Sequence, residues 1–378
     1  MFDRWVMAAS AGQVSAVVLI DLSAAFDLVD SDILLKKLKI YGLEESFLSW
    51  IKSYLSERHQ AVWIDHIYSD FRPHSIGVPQ GSNLGPLFFL IYYSDLLSTL
   101  DCDIDDSTMG ETGKSVNDIS INLSRNCEKV VTWMQSNQFK LNASKTHLLT
   151  VGTGERLSGL KEKVQVQMDG VKLVESKEPS EFLLGCDIQP NLKWNVQVEK
   201  LIGKLKTRLV GLTSLKYVVP YHIRNTITLG MFNSVIVYCL PLFGGCNTDQ
   251  IKSLQVLQNR AAQVVTHSPP RSRREVMYNK LKWLTVNQLV VYHTLLTVFK
   301  IRRTKELEYL ATFLTNDNRQ GKIIIPNTTL TLAKKSFTSR GSENLNSLSP
   351  SLRNCTRIGQ FKPGVKLWVQ ENISRFLE

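Results

Sequence analysis

Val17-Val18-Leu19-Ile20-Asp21 is a continuous apolar, β-branched run that ends on a carboxylate. It reads as a buried strand whose terminal aspartate can reach solvent while its backbone stays fixed. Working outward, Ser31-Asp32 can cap a helix that carries Leu34, Leu35 and Leu38 and closes at Gly42. Phe47, Trp50, Ile51, Tyr54 and Leu55 fall on one face of a second helix. Ala61 to Asp65 is strand-like. Gly77 to Pro86 holds three glycines and two prolines in ten residues and forms a special loop. Leu87 to Leu97 then reads as a buried helix.

Further along, Val116, Ile119, Leu123, Cys127, Val130 and Met134 share one side of a helix expected over 115–135. Val164 to Met168, Asp169-Gly170 and Val171 to Val174 make a strong hairpin signal. Glu181 to Ile188 reads as one more strand. From about residue 195 the pattern turns helical: Lys200 to Lys216, Ile223 to Tyr238, Asp249 to Thr266 and Arg274 to Arg303, with a break at Pro269-Pro270. Residues 312–364 are rich in Asn, Thr, Ser, Gly and Pro and read as loop with weak strands such as Ile323-Ile324-Ile325; a last helix is expected over Gly364 to Leu377. No internal repeat is visible, so the order is mixed α+β first and mostly α afterwards.

At 378 residues, 43% hydrophobic and 21% charged, the composition is that of a globular chain and excludes collagen, a coiled-coil rod and wholesale disorder. The longest apolar run, Leu87 to Tyr93, is too short to span a bilayer, and the first residues do not read as a secretory signal, so no membrane partner is expected. Six cysteines lie scattered with no C-x-x-C pair, which argues against zinc and against a disulfide framework. The net charge of +11 is uneven. Residues 1–100 hold 7 Lys+Arg against 11 Asp+Glu, net −4, whereas residues 195–305 hold 17 against 3, net +14. An acidic front and a basic middle suit a carboxylate site beside a polyanion track; a merely solvated basic surface gives the same count.

Asp21 and the pair Asp105-Asp106 are two separated acidic points. Together they can hold two Mg²⁺ ions for in-line phosphoryl transfer; taken alone, each reads as a helix cap or turn residue. The Gly77–Pro86 loop lies between them and precedes an apolar helix, and Gln80 in it offers both donor and acceptor. Lys200, Lys204 and Arg208 recur every four residues opposite Leu201, Leu205 and Leu212, giving a helix with one buried and one basic face.

The array Val18-Leu19-Ile20-Asp21-Leu22-Ser23-Ala24-Ala25-Phe26-Asp27, the loop Gly77-Val78-Pro79-Gln80-Gly81-Ser82-Asn83-Leu84-Gly85-Pro86 and Asp105-Asp106 resemble the reverse transcriptase of non-LTR (LINE-type) retrotransposons. Trp133 to Thr146, Phe182-Leu183-Leu184-Gly185 and Leu192-Lys193-Trp194 continue the match in order, so that it covers about residues 14–195. The resemblance implies an α+β polymerase palm, a small antiparallel sheet backed by helices, over 1–194. A helical thumb over 195–245 and a mostly helical C-terminal domain over 246–378 would follow. It implies RNA-directed DNA synthesis from dNTPs on a DNA primer and an RNA template, with two Mg²⁺ ions, or Mn²⁺ in their place, on Asp21, Asp105 and Asp106. Phe26 would lie under the sugar of the incoming nucleotide and exclude a 2′-hydroxyl; a plain core role is its alternative. Gln80 and Gly81 would line the nucleotide pocket. Lys145 would give a proton to departing pyrophosphate, unless it is simply solvated. Phe182, Leu183, Leu184 and Gly185 would grip the primer end, and Lys200, Lys204 and Arg208 would follow the phosphate backbone.

Two departures from the family pattern are expected to matter. The chain starts almost at Asp21, so the fingers subdomain would be missing, and no endonuclease domain is recognised. Only nine residues separate Asp95 from Asp105, which implies an internal deletion that shortens the metal-site hairpin. The expectation is therefore a truncated polymerase of impaired activity, in nucleus or cytoplasm. Its alternatives are a non-catalytic nucleic-acid-binding remnant or a reading frame with no biochemical role. Arg271-Ser272-Arg273-Arg274 reads as a nuclear signal or as more backbone-binding charge.

Overall fold

A computed structural model describes residues 1–22, 24–105, 108–142, 145–269, 271–325, 328 and 330–372, with the side chains of residues 103–105 also outside the description. The described chain falls into two compact units. The first comprises Gln13–Val151 and Glu155–Lys177; the second comprises Phe2–Gly12, Gly152–Gly154 and the chain from Glu178 onward. Both segments expected as thumb and C-terminal domain lie within the second unit.

The first unit is built on a four-stranded antiparallel sheet in the order Asp103–Asp105, Thr108–Gly113, Val14–Leu19, His147–Val151. Val14–Leu19 is central because it is apolar on both faces: Val14, Ala16, Val17 and Val18 are all buried, as expected of a strand covered on both sides. Helices Ser31–Ile40, Glu45–Leu55, Gly85–Tyr93 and Val116–Ser136 contribute Leu34, Leu38, Ile51, Phe88, Tyr92, Leu123 and Val130 to the core with this strand. Asp30, rather than Ser31-Asp32, caps the first of these helices, its carboxylate accepting from the backbone N–H groups of Asp32 and Ile33. The apolar stretch expected as one buried helix over 87–97 is two helices, Gly85–Tyr93 and Leu96–Thr99. Only Phe88, Tyr92 and Leu96 of it are buried deeply, because a single face meets the core and Leu87, Leu90 and Leu97 face solvent. The short ladder Asp103–Asp105 with Thr108–Gly113 pairs despite the small spacing from Asp95.

The predicted Asp169-Gly170 turn is present: both residues have positive φ, +53° and +71°, and Met168 pairs with Val171. In the second unit, the strand expected over 181–188 is a hairpin, Glu181–Leu183 with Cys186–Ile188. Leu184 and Gly185 turn at φ +47° and +84°. The helix expected over 274–303 is broken. Lys282 turns left-handed at φ +53°, and Thr285 with Gln288 forms a capping box that starts a new helix, Val286–Thr304. Residues 312–364, expected as loop, hold helices Phe337–Asn346, Pro350–Arg353 and the start of Ile358–Glu371. Their Ser and Pro residues serve as starts rather than loop: Ser336 and Ser349 cap, and Pro350 opens a helix. Ile323 makes only an isolated bridge to Asp317. Among the described residues no single helix is long and apolar enough to cross a membrane.

Candidate active site

Asp21 lies two residues beyond the end of the central strand, after Ile20. Its backbone carbonyl accepts from Asn142 N–H at 3.0 Å, next to a bridge between Leu22 and Leu141, so the segment carrying Asn142 is tied to this strand end. The Asp21 carboxylate is half exposed. Asn142 Nδ2 donates to Asp21 Oδ2 at 3.2 Å, and Lys145 Nζ stands 3.7 Å from the same oxygen. Two strands across, the register is Leu19 opposite Thr108 and Thr108 opposite Asp105, so the Asp105 backbone lies at the sheet end that Asp21 leaves. The Asp105 carboxylate and all of Asp106 lie outside the described residues.

Beyond Asp21, Ala24 takes a left-handed conformation and a short 3-10 turn, Ala25–Leu28, presents Phe26 and Asp27. The glycine-rich loop docks on this turn through three hydrogen bonds. Gly77 N–H donates to Val29 C=O at 2.8 Å, Val78 N–H to Phe26 C=O at 2.9 Å, and Gln80 Nε2 to Asp27 Oδ1 at 2.8 Å. Gly77 has φ +94°, and a Cβ there would stand 2.8 Å from Asp27 Cα, so only glycine lets the two backbones meet. Ser82 Oγ donates to Pro79 C=O and accepts from Gly85 N–H, closing the loop onto the next helix. Phe26 is 36% exposed and stacks on Phe89 with ring centroids 4.7 Å apart, so its other face is open. Gly81, at φ +80°, has nothing within 4 Å of where a Cβ would be. The first unit thus gathers Asp21, Lys145, Phe26, Gln80 and Gly81 around one end of the sheet and the loop docked beside it.

The remaining expected site residues belong to the second unit. Phe182 and Leu184 are exposed, at 65% and 56%, on the hairpin. Tyr238 holds its turn, the hydroxyl donating to Leu184 C=O at 2.8 Å while the ring packs against Gly185. Lys200, Lys204 and Arg208 lie on the helix Asn195–Ser214. Lys200 is engaged internally, 2.5 Å from the buried Asp187 carboxylate, and Arg208 donates to the Met231 carbonyl. Lys204 is exposed, as is Lys206 beside it.

Reading by residue type passes over three residues of the site. Asn142 lies inside a recognised motif, and its spacing from Lys145 is a usable signal. Asp27 is the nearest carboxylate after Asp21 and is available as a partner for Gln80. Phe89, which supports Phe26, carries no sequence signal because the contact joins residues far apart in the chain.

Residues 5–188, just under half of the chain, match a family described as reverse transcriptase (RNA-dependent DNA polymerase), which supports kinship with the reverse transcriptases of non-LTR mobile elements. The chain is similar to a "Probable RNA-directed DNA polymerase from transposon BS" of Drosophila melanogaster, 26% identical over 306 residues, which covers 76% of this chain and 33% of that protein. It is also similar to the "RNA-directed DNA polymerase from mobile element jockey" of the same organism, 23% identical over 285 residues, covering 70% and 30%. The chain therefore spans about a third of the length of these relatives. Among solved structures, a telomerase from Candida tropicalis in complex with the TWJ fragment of telomeric RNA matches with a TM-score of 0.37 and 10% identity, over 98% of this chain and 52% of that one.

Proposed function

We propose that this chain carries the palm and thumb of a mobile-element reverse transcriptase and joins a dNTP to a primer 3′-hydroxyl on an RNA template. One observation carries the reading: the glycine-rich loop is docked on Phe26 and Asp27 beside Asp21, with Lys145 Nζ 3.7 Å from the Asp21 carboxylate. Asp21 offers a hard, solvent-reaching oxygen donor at the sheet end that the Asp105 backbone shares, which suits Mg²⁺ or Mn²⁺. Asp21, with Asp105 and Asp106, would hold two such ions. When bound, the ions activate the attacking hydroxyl and neutralise charge on the leaving pyrophosphate. The residues of the chain do the rest. Phe26 turns a flat open face to the sugar. Gln80, held by Asp27, fixes the loop against the base pair. Lys145 stands ready as proton donor to the leaving group. Phe182 to Gly185 would support the primer end, and Lys204 the phosphate backbone. A low rate is expected, because the strand ending in Asp105 is only three residues long.

Primer extension on an RNA template with dNTPs and Mg²⁺ tests this. Asp21→Asn should cut synthesis at least about a hundredfold, the scale on which loss of one charge-stabilising group is felt. Unchanged synthesis in that variant would sink the proposal. A second reading, nucleic-acid binding without catalysis, is favoured by the net +14 over residues 195–305. It expects no synthesis, yet binding whose affinity falls steeply with salt. Lys204→Ala or Lys206→Ala would each remove one cation from the phosphate track and make that salt slope shallower by about one unit.

A further inference from the structure

The second unit carries a cavity of about 280 Å³ where the last turn of the helix Val286–Thr304 meets the link between the helices Pro350–Arg353 and Ile358–Glu371. Three guanidinium groups line it, those of Arg302, Arg303 and Arg353. Asn354 and Thr356 stand beside them, and no carboxylate lines the cavity among the described residues. Arg302 is already answered from outside: Asp317 Oδ1 and Oδ2 each accept from its guanidinium at 2.9 Å. Arg303 and Arg353 have no such partner among the described residues. The exposed Arg303 lies over the Phe299 ring, 6.0 Å from its centroid, and the half-buried Arg353 reaches only the Asn346 carbonyl, at 3.4 Å. Phe299 stacks in turn on the buried Phe361, centroids 4.4 Å apart, so the wall under Arg303 is firm. A helix C-terminus favours cations on its own account, which covers Arg302 and Arg303. It does not explain why Arg353, from another element, lines the same cavity.

Three guanidiniums against one carboxylate leave two positive charges in a concave space rich in donors. That excess selects among ligands. An apolar molecule would leave both guanidiniums unanswered. A carboxylate carries one charge and would pair with one fork alone, and the phosphate linking two nucleotides also carries only one. A phosphate monoester is close to a dianion at neutral pH and keeps three oxygens free. It can therefore answer both forks and still accept from Asn354 and Thr356. The cavity is slightly smaller than the usual small-molecule site, which suits a phosphate group without its sugar or base. We propose that this cavity binds the phosphate of a monoester, its charge shared between Arg303 and Arg353 and its remaining oxygen met by Asn354 and Thr356. The chemistry is the same for a small free phosphomonoester and for the 5′-terminal phosphate of a nucleic-acid strand.

Calorimetric titration of the full chain in EDTA, so that metal-dependent phosphate binding is absent, tests the proposal with methyl phosphate, dimethyl phosphate and a short single-stranded oligonucleotide with or without a 5′-phosphate. Saturable binding of methyl phosphate, about tenfold or more tighter than that of the singly charged dimethyl phosphate, is expected for a free-monoester site. A preference of about tenfold or more for the 5′-phosphorylated strand over its 5′-hydroxyl form assigns the site to a strand end. In either case Arg303→Gln should weaken binding about fivefold or more, with the circular dichroism spectrum and melting temperature kept, because Arg303 is exposed. Arg303→Lys should restore only part of the affinity, since an ammonium replaces the fork by a point charge. Lys252→Ala, which removes an exposed cation elsewhere in the same unit, should leave binding unchanged. Full affinity in Arg303→Gln, an equal loss in Lys252→Ala, or no preference either for methyl over dimethyl phosphate or for the 5′-phosphorylated strand would overturn the assignment.

Discussion

At the scale of single residues, Gly77 and Phe26 carry the strongest consequences. Gly77 has a positive φ and lies against backbone, so Gly77→Ala forces a Cβ to within 2.8 Å of Asp27 Cα with no flexible side chain able to yield. A cost of about 2 kcal/mol or more is expected, from strain and overpacking together. Chemical denaturation measures it, and polymerase activity should fall further than stability because the loop positions Gln80. Phe26 rests on Phe89 and not in the deep core, so Phe26→Val should be well folded. If Phe26 lies under the nucleotide sugar, that variant should accept rNTPs about tenfold or more better relative to dNTPs, the scale at which a pocket wall discriminates one small group. Competition between the two nucleotides in primer extension reads it directly. Cys239 is the thiol whose ionisation is favoured: a hydrogen bond from Cys186 stabilises its thiolate and pulls its pKa down to about 7, while the same bond pushes the buried Cys186 up. Burial pushes Cys102 and Cys246 up to about 11. Iodoacetamide labelling followed by mass spectrometry should therefore modify Cys239 first, with a rate that rises through about pH 7.

At the scale of elements, Arg224 shows how the helical unit is fastened. It is buried in the helix Tyr221–Thr228 and has no carboxylate partner among the described residues; its guanidinium donates instead to the carbonyls of Lys216, Val219 and Val265. These carbonyls follow one helix, Asn195–Ser214, and end another, Thr248–Thr266, so one side chain satisfies acceptors that helix termini leave open. Arg224→Met should cost about 3 kcal/mol, with one buried and two part-buried carbonyls left short of donors. Urea denaturation would show it as a lower midpoint. Nothing in the charge pattern marks Arg224 off from the other basic residues between 195 and 305, because its role depends on carbonyls up to 41 positions away. By contrast, what repeats locally was legible. The strand before Asp21, the helices near 31–40, 45–55 and 116–136, and the Asp169-Gly170 turn all follow from periodicity or turn chemistry. The errors share a cause. Serine, threonine and proline between 330 and 350 resemble loop but serve as helix starts, and the break at Lys282 needs a left-handed residue that lysine rarely announces. The residues that the first unit gathers around Asp21 were quoted as motif members. Their supports, Asn142 and Phe89, depend on tertiary contact.

At the scale of the whole molecule, the two compact units do not follow chain order. The N-terminal helix Phe2–Ser10 belongs to the unit formed mainly after residue 178, although it immediately precedes the central strand of the other. The reason is Asp3. Its carboxylate accepts from the N–H of Phe337 and from the N–H and hydroxyl of Thr338, at the start of the helix Phe337–Asn346. A carboxylate at a helix N-terminus is favoured by the backbone dipoles as well as by these bonds. Burial nevertheless dominates and raises the Asp3 pKa above its ordinary 3.8. The folded chain then holds a proton on Asp3 in a pH window where the unfolded chain has lost it. Stability from this group is therefore greatest below 3.8, and it declines as pH rises toward the raised native value. Asp3→Ala should lose about 1–2 kcal/mol at neutral pH, the cost of an absent cap, and the gap between wild type and variant should widen as pH falls toward about 4. Melting curves at a series of pH values would separate this from the opposite trend of Asp101, whose carboxyl is held down by Lys129. The unit carrying Asp3 should melt earlier in the variant while the sheet-bearing unit keeps its own transition; a uniform loss across both units, or a gap that narrows in acid, would refute the role assigned to Asp3.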